Sequence, residues 1–334
     1  MEQKNQTIIS EFLLQGLFSQ AEHEGIIFSI LLSMYLLIVL GNLLIVLLIC
    51  CDARLHTPMY FFLSCLSLAD VGFASSTVPV MLQNLLSQKK TISFGGCLSQ
   101  MYFFLTFGNS DNFLLAAMAF DRYLAICRPL HYPALMNHKC CLLMVFGCWL
   151  LATFQSMLYT LMLSRHSFCA SHEIPHFFCE FYPLIGLSCS DTTVIKMIAL
   201  TEGMLDIVGP FMFIVVSYAC IFLTIMNIPS STGKRKAFST CGSHLAVVVL
   251  FYGTLCLVYL QPTSSNSKLQ NTVSSLMYTV VTPMLNPFVY SLRNNEMKGS
   301  LRRLLGRSTW NWKQQVGLVS ATGEARSTQH SNIG

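Results

Sequence analysis

The side chains that most need a chemical explanation are charges set inside apolar runs. Arg122 closes one such run, with Asp111 eleven residues and Phe104 eighteen residues before it. At 3.6 residues per turn these separations are about three and about five turns of α-helix. Phe104, Gly108, Asp111, Leu115 and Arg122 therefore share one helical face. Neither charge can face lipid, so that face must turn into a helical assembly. Phe104 and Gly108 then lie where a ligand entering from one side would rest, Asp111 lies mid-membrane and Arg122 lies at the opposite mouth. The competing reading is a buried polar stripe that only packs helices, which suits Gly108 better than the charges.

A second constellation is Glu202, Asp206 and Pro210, spaced by four and so also on one face. Two carboxylates one turn apart in low dielectric repel, and the pair should hold roughly one negative charge between them. They could anchor a polar ligand or hydrogen-bond a neighbouring helix. A third is the stretch 164–195, with Cys169, Cys179 and Cys189 beside His166, His172 and His176. His172, His176 and Cys179 could hold a metal if that stretch were helical. Cys179 in a disulfide would rule that out.

These residues need elements to position them. Of the 334 residues 53% are hydrophobic and 10% charged, against about 25% charged in soluble domains. The excess falls in seven runs long enough to cross a bilayer, at 25–50, 58–82, 98–120, 140–163, 196–226, 238–260 and 271–292. Inside lipid the backbone must satisfy itself, so the runs are predicted helices and the fold class an all-α membrane protein, a seven-transmembrane helix bundle. The alternation of a barrel strand is absent. Past the seventh run, Met297, Leu301, Leu304 and Leu305 recur at helical spacing opposite Lys298, Arg302 and Arg303. This predicts a short amphipathic cytoplasmic helix over 293–306. Residues 1–24 read as an extracellular tail, 25–292 as the membrane domain and 307–334 as a disordered cytoplasmic tail.

With the N-terminus outside, 14 of the 20 Lys and Arg fall on the inner side, as the positive-inside rule requires. The net charge of +5 is thus a topology signal that suits an anionic leaflet and an acidic cytosolic partner, not nucleic acid. Residues 1–24 carry four Glu and no basic start before an apolar run, so no cleaved leader is expected. Asn5-Gln6-Thr7 is a glycosylation sequon on the outer tail. Four of the 14 cysteines, Cys97, Cys169, Cys179 and Cys189, fall outside, which allows three pairings. The other ten lie where thiols stay reduced. None follows Cys256, so no palmitoyl anchor is expected in the cytoplasmic tail. Inverted halves, expected of many transporters, are not apparent.

Several motifs, taken together, are specific. Met118-Ala119-Phe120-Asp121-Arg122-Tyr123-Leu124-Ala125-Ile126-Cys127 resembles the olfactory-receptor form of the Asp-Arg-Tyr motif. Leu55-His56-Thr57-Pro58-Met59-Tyr60 is similar to the family's signature before the second span. Lys236-Ala237-Phe238-Ser239-Thr240-Cys241, with Ser243-His244, resembles its sixth-span start, and Pro283-Met284-Leu285-Asn286-Pro287-Phe288-Val289-Tyr290 its seventh-span motif. The likeness runs over about residues 10–305 in order. The chain is identified as resembling olfactory receptors, a family of rhodopsin-like (class A) G-protein-coupled receptors.

That resemblance implies a receptor rather than an enzyme, one that binds small volatile odorants at the plasma membrane and activates a stimulatory heterotrimeric G protein, raising cyclic AMP. It implies disulfides Cys97–Cys179 and Cys169–Cys189. The family's pocket maps onto Phe104, Leu105, Gly108, Asn109, Glu202, Asp206, Tyr252, Leu255, Tyr259 and Thr279. Its coupling and switch residues map onto Asp121, Arg122, Tyr123, Tyr218, Asn286, Pro287 and Tyr290. Asn42, Asp70, Asp111 and Asn286 would form a polar cluster able to hold sodium; no other cofactor is expected. Two departures stand out. Phe251-Tyr252-Gly253 replaces the sixth-span Trp of most rhodopsin-like receptors. Lys234-Arg235-Lys236 stands where many such receptors have an acid that locks the motif Arg, so Arg122 must be held by Asp121 or by polar groups.

Overall fold

Apolar side chains on every face give a helix no reason to end inside a run, and the helices extend until polar or helix-breaking residues stop them. In a computed structural model, which describes residues 10–17, 24–87, 89–168, 172–259, 267–294 and 296–306, the long helices are α1 (Glu24–Cys51), α2 (Pro58–Leu86), α3 (Phe94–Cys127), α5 (His138–Ser164), α7 (Thr193–Met226) and α8 (Ser231–Tyr259). A last stretch runs through α9 (Ser267–Leu276), a π-helical turn Met277–Val281 and α10 (Thr282–Arg293). Short helices α4 (Tyr132–Leu135) and α6 (Phe181–Ile185) sit in connections, and residues 296–306 form a further helix, α11. The Asn5 sequon, Cys169 and the tail 307–334 lie outside the described residues.

Five of these helices, α1, α2, α5, α7 and α8, are long and apolar enough to cross a membrane. The chain is a multi-pass membrane protein. Its outward faces agree: Leu37, Leu40 and Leu47 of α1 and Phe146, Leu150 and Phe154 of α5 are exposed, which water would not tolerate over so large an area. The helices outrun the predicted spans at their polar ends. α8 begins at Ser231 rather than 238, because Gly233 to Lys236 continue the helix into polar surroundings.

α3 is the central post, packed against α2, α5 and α7 and, more lightly, α8. Ser93 caps its start by accepting from the Gly96 amide at 3.1 Å. α10 packs against α1 and α8, and Gly41 lets α1 approach Pro287 so closely that a Cβ there would lie 3.2 Å from the proline ring.

One element departs from the all-helical expectation. Residues 11–14, expected as part of a plain tail, form strand β1 (Glu11–Leu14) between β2 (Thr91–Ser93), antiparallel to it, and β3 (Glu173–Ile174), parallel to it. Its alternation explains why: Phe12 and Leu14 are buried while Glu11 and Leu13 point out. Phe12 packs edge-on to Phe168 at 5.6 Å and against Phe94 at 6.0 Å. The sheet covers the Cys97 end of α3, where Cys97 and Cys179 form a disulfide with Cα atoms 5.4 Å apart. Cys189 is also disulfide-bonded.

At the opposite end α11 is tied down. Tyr60 donates to Glu296 Oε2 at 2.6 Å and accepts from Asn294 Nδ2 at 2.8 Å. Arg303 Nε donates to Asp52 Oδ2 at 3.0 Å. That guanidinium holds the Asp52 carboxyl down to about 2.

Candidate functional site

A cavity of about 670 Å³ lies between α3, α7, α8 and α9 at the Cys97 end. Its apolar lower wall follows from the helical face read in the sequence: Phe104, Leu105, Gly108 and Asn109 all line it, with Asp206, Leu255 and Tyr259 facing them. Gly108 is required by a close approach, since a Cβ would lie 3.1 Å from the Phe73 ring and 3.2 Å from the Tyr278 hydroxyl. Phe104 stacks on Phe73 at 4.9 Å, which fixes the ring as wall rather than plug.

Three residues mapped to the pocket stand apart from its lining. Tyr252 is buried and donates its hydroxyl to Asn112 Oδ1. Thr279 sits on the far side of the π-helical turn, buried, donating to the Ser275 carbonyl at 2.8 Å. Glu202 turns instead toward the Tyr159 phenol.

Other residues in and around the cavity were not visible in the sequence pattern. Asn112 lies in the lining and holds the Asp206 carbonyl through Nδ2, while Gln155 of α5 reaches both Asp206 Oδ1, through Nε2, and Asn109, whose Nδ2 is 3.5 Å from Gln155 Oε1. Tyr278 is aimed inward by the π-helical turn, an insertion that often marks functional positions in helices. Glu180 and Tyr182 come from the loop between α5 and α7, as does His176, which the sequence offered only as a metal ligand. The loop is not helical at the histidines: residues 173–174 are strand and His172 is exposed. Cys179 is consumed in its disulfide, and among the described residues no three His, Cys, Asp or Glu gather as for a metal.

Below the cavity, Asn286 Nδ2 donates to both Asp70 oxygens, at 3.1 and 2.9 Å. Asp111 lies within electrostatic reach of Asp70. Asn42 Nδ2 donates to the Pro283 carbonyl at 3.2 Å. Asp111 Oδ1, Asn42 Oδ1 and Asn286 Oδ1 are buried without hydrogen-bond partners. Three orphaned oxygens among two carboxylates suit a small hard cation, whose ligands are oxygens.

At the far end, Arg122 Nη2 lies 3.0 Å from Asp121 Oδ2. Asp121 Oδ1 accepts from the Tyr132 hydroxyl at 2.8 Å. The arginine is thus held by its neighbour, one of the two arrangements the sequence required. Tyr218 pairs with His244 Nδ1 at 2.7 Å, and His244 Nε2 reaches the Leu115 carbonyl at 3.1 Å. Tyr290 is buried with its hydroxyl unpartnered, and Tyr123 packs beside Ile221 and Ile225. A second cavity of about 780 Å³ opens here, with Arg122, Tyr132, Arg235 and Tyr290 on its walls.

Two cavities thus lie at opposite ends of a helical membrane bundle. The family model described as olfactory receptor matches residues 31–308, and the chain belongs to that family. It is 54% identical over 305 residues to olfactory receptor 1468 of Rattus norvegicus, covering 91% of this chain and 97% of that one. It is 53% identical over 307 residues to olfactory receptor 1F1 of Homo sapiens, covering 92% and 98%. It is 53% identical over 304 residues to olfactory receptor 1E16 of Mus musculus, covering 91% and 97%. The protein is a receptor and not an enzyme, and its family implies a small-molecule odorant and a G protein as partners.

Proposed function

We propose that the chain is a seven-span odorant receptor of the plasma membrane, N-terminus outside, that binds a small volatile ligand in the cavity at the Cys97 end and activates a stimulatory G protein, raising cyclic AMP. In this reading α3 and the stretch from α9 to α10 complete the seven spans. α11 lies on the inner membrane face, with Met297 inward and Lys298 and Arg302 toward headgroups and water.

The observation that carries the reading is the placement of two groups on α3. Gly108 lines one cavity and Arg122 the other, 14 residues apart, or about 21 Å along the helix. A ligand that displaces α7 or α8 against α3 at the first cavity changes the shape of the second, since both helices bond α3 through Asp206, Tyr252 and His244. The wall suits a ligand with an apolar body and one hydrogen-bonding group. A carboxylic acid is disfavoured, because Asp206 and Glu180 already face the space and no Lys or Arg is among the described lining residues. Asn42, Asp70, Asp111 and Asn286 would hold sodium, which supplies positive charge to two buried carboxylates and stiffens the resting column.

The test is a cyclic AMP assay in cells, with odorants grouped by functional group. Wild type should respond, and Arg122→Ala at equal surface expression should bind ligand without signalling. A wild-type response retained in Arg122→Ala would defeat the coupling half of the proposal. Ion flux through liposomes without G protein would favour a channel instead.

A further inference from the structure

The end of the cavity nearest the disulfide is built by a loop. After Cys179 the chain folds back over the space, putting Glu180, Phe181, Tyr182 and Pro183 into the lining, with His176 beside them. Glu180 is 8% exposed. Its Oε1 accepts from the Tyr259 hydroxyl at 2.8 Å. Its Oε2 is 4.0 Å from His176 Nε2, which is engaged with Ser275 Oγ at 3.2 Å.

These partners stabilise the carboxylate's geometry without balancing its charge. The phenol is neutral. Burial holds His176 below the ordinary histidine range, so the ring is neutral too at physiological pH. No Lys or Arg stands among the described lining residues. Asp206, the other lining carboxylate, differs: Gln155 Nε2 donates to it. Around Glu180 the neighbours are aromatic. Tyr182, Tyr259 and Tyr278 all feel its charge, and the Tyr182 and Tyr259 rings stand 6.3 Å apart, edge to face. A buried carboxylate attracts a cation by ion pairing, and neighbouring tyrosine rings add their quadrupole where a face is presented.

We propose that Glu180, with the Tyr182 and Tyr259 rings, is an ammonium subsite, and that protonated alkyl amines are a ligand class of this receptor. The amine nitrogen meets Glu180, and the apolar body lies along Phe104, Leu105 and Leu255. This rests on reading the cavity as the odorant pocket.

The experiment uses the full-length receptor in cells with a cyclic AMP reporter and surface-expression control. The probes are n-alkyl amines, alcohols and carboxylic acids of equal chain length, alongside a panel of unrelated volatiles. The amine should be the most potent of each matched set. Glu180→Gln should raise its half-maximal concentration about tenfold or more and leave the alcohol nearly unchanged. Glu180→Asp should keep the amine preference. If Glu180→Gln fails to reach the surface, Tyr182→Leu, at a half-exposed position, should still weaken the amine severalfold and spare the alcohol. Equal loss of amine and alcohol would overturn the ammonium role, as would loss of the amine in Asp206→Asn but not in Glu180→Gln. Amines inactive while other volatiles signal would also overturn it and leave the odorant reading standing. No volatile active at normal surface expression would instead defeat the reading of the cavity.

Discussion

Tyr252 of α8 donates its phenolic hydrogen bond to Asn112 of α3 in the wall of the cavity. The same Asn112 holds the Asp206 carbonyl of α7. Two helices are therefore fastened to α3 through one amide, at the level where a ligand would press on them. Two turns further along α8, His244 makes a second attachment to α3 at the Leu115 carbonyl.

Tyr252→Phe removes the first attachment and keeps the ring. A neutral hydrogen bond contributes about 1 kcal/mol net, roughly a fivefold change in an equilibrium. With one of its two attachments to α3 removed, α8 should displace more easily, so agonist-free cyclic AMP should rise severalfold at equal surface expression. Unchanged basal signalling would show that the bond does not restrain the resting state.

Asp121→Asn weakens the hold on Arg122, which here has no acid from α8 to replace it. Basal signalling should rise while ligand affinity stays within about twofold, because the site lies some 20 Å from the cavity. Tyr132→Phe, which removes the hydroxyl that positions Asp121, should act in the same direction and more weakly. A fall in basal activity in both variants would reverse the assignment.

Cys97→Ser or Cys179→Ser unties α3 from the loop that carries Glu180 and His176. Loss of such a bridge costs about 2–5 kcal/mol. Surface expression should collapse in either variant, and the double variant should be no worse than the singles. Normal responses from a single variant would show the tie to be dispensable.

His176 gives the loop a pH dependence. Its folded-state pKa lies below the ordinary value of 6.5, burial outweighing the pull of Glu180. The unfolded chain then takes up a proton that the folded one resists, so stability is full above about pH 6.5 and declines as the pH falls below it. Glu180, Ser275 and the Phe178 backbone are the polar groups facing the ring, with the Phe177 and Phe178 rings packed against it. The melting temperature of purified receptor should fall between about pH 7.5 and about 5.5, and His176→Asn should fall less. An identical slope in the variant would place the acid sensitivity elsewhere.

The helical part of the site was legible because helices repeat. Phe104, Gly108 and Arg122 announce a common face by spacing alone, and both cavities do lie along it. Asn112 and Gln155 were not legible: their roles depend on how three helices approach one another, which no single period encodes. Tyr278 owes its aim to a π-helical turn, an inserted residue with no signature in hydropathy. Glu180, His176 and Tyr182 sit on an irregular loop whose path is set by a disulfide and a strand pairing, both long-range. Strand β1 was missed because four residues of alternation are too short to stand out in a polar tail. Thr279 and Tyr252 were assigned to the pocket by family position; here Thr279 bonds the Ser275 carbonyl and Tyr252 bonds Asn112, and neither is among the described lining residues.

The central place of β1 in its sheet has a consequence for the order of synthesis. Its neighbours are residues 91–93 and 173–174, so the earliest strand made must wait for half the chain before both its edges are filled. Until then Phe12 and Leu14 are only partly covered, by β2 and Phe94. A nascent receptor stalled or misthreaded before residue 174 leaves one edge of that apolar strand open. Closure of the sheet thus doubles as a completion mark, and changes confined to residues 11–14 should show as retention in the secretory pathway before they show as any change in what the finished receptor detects.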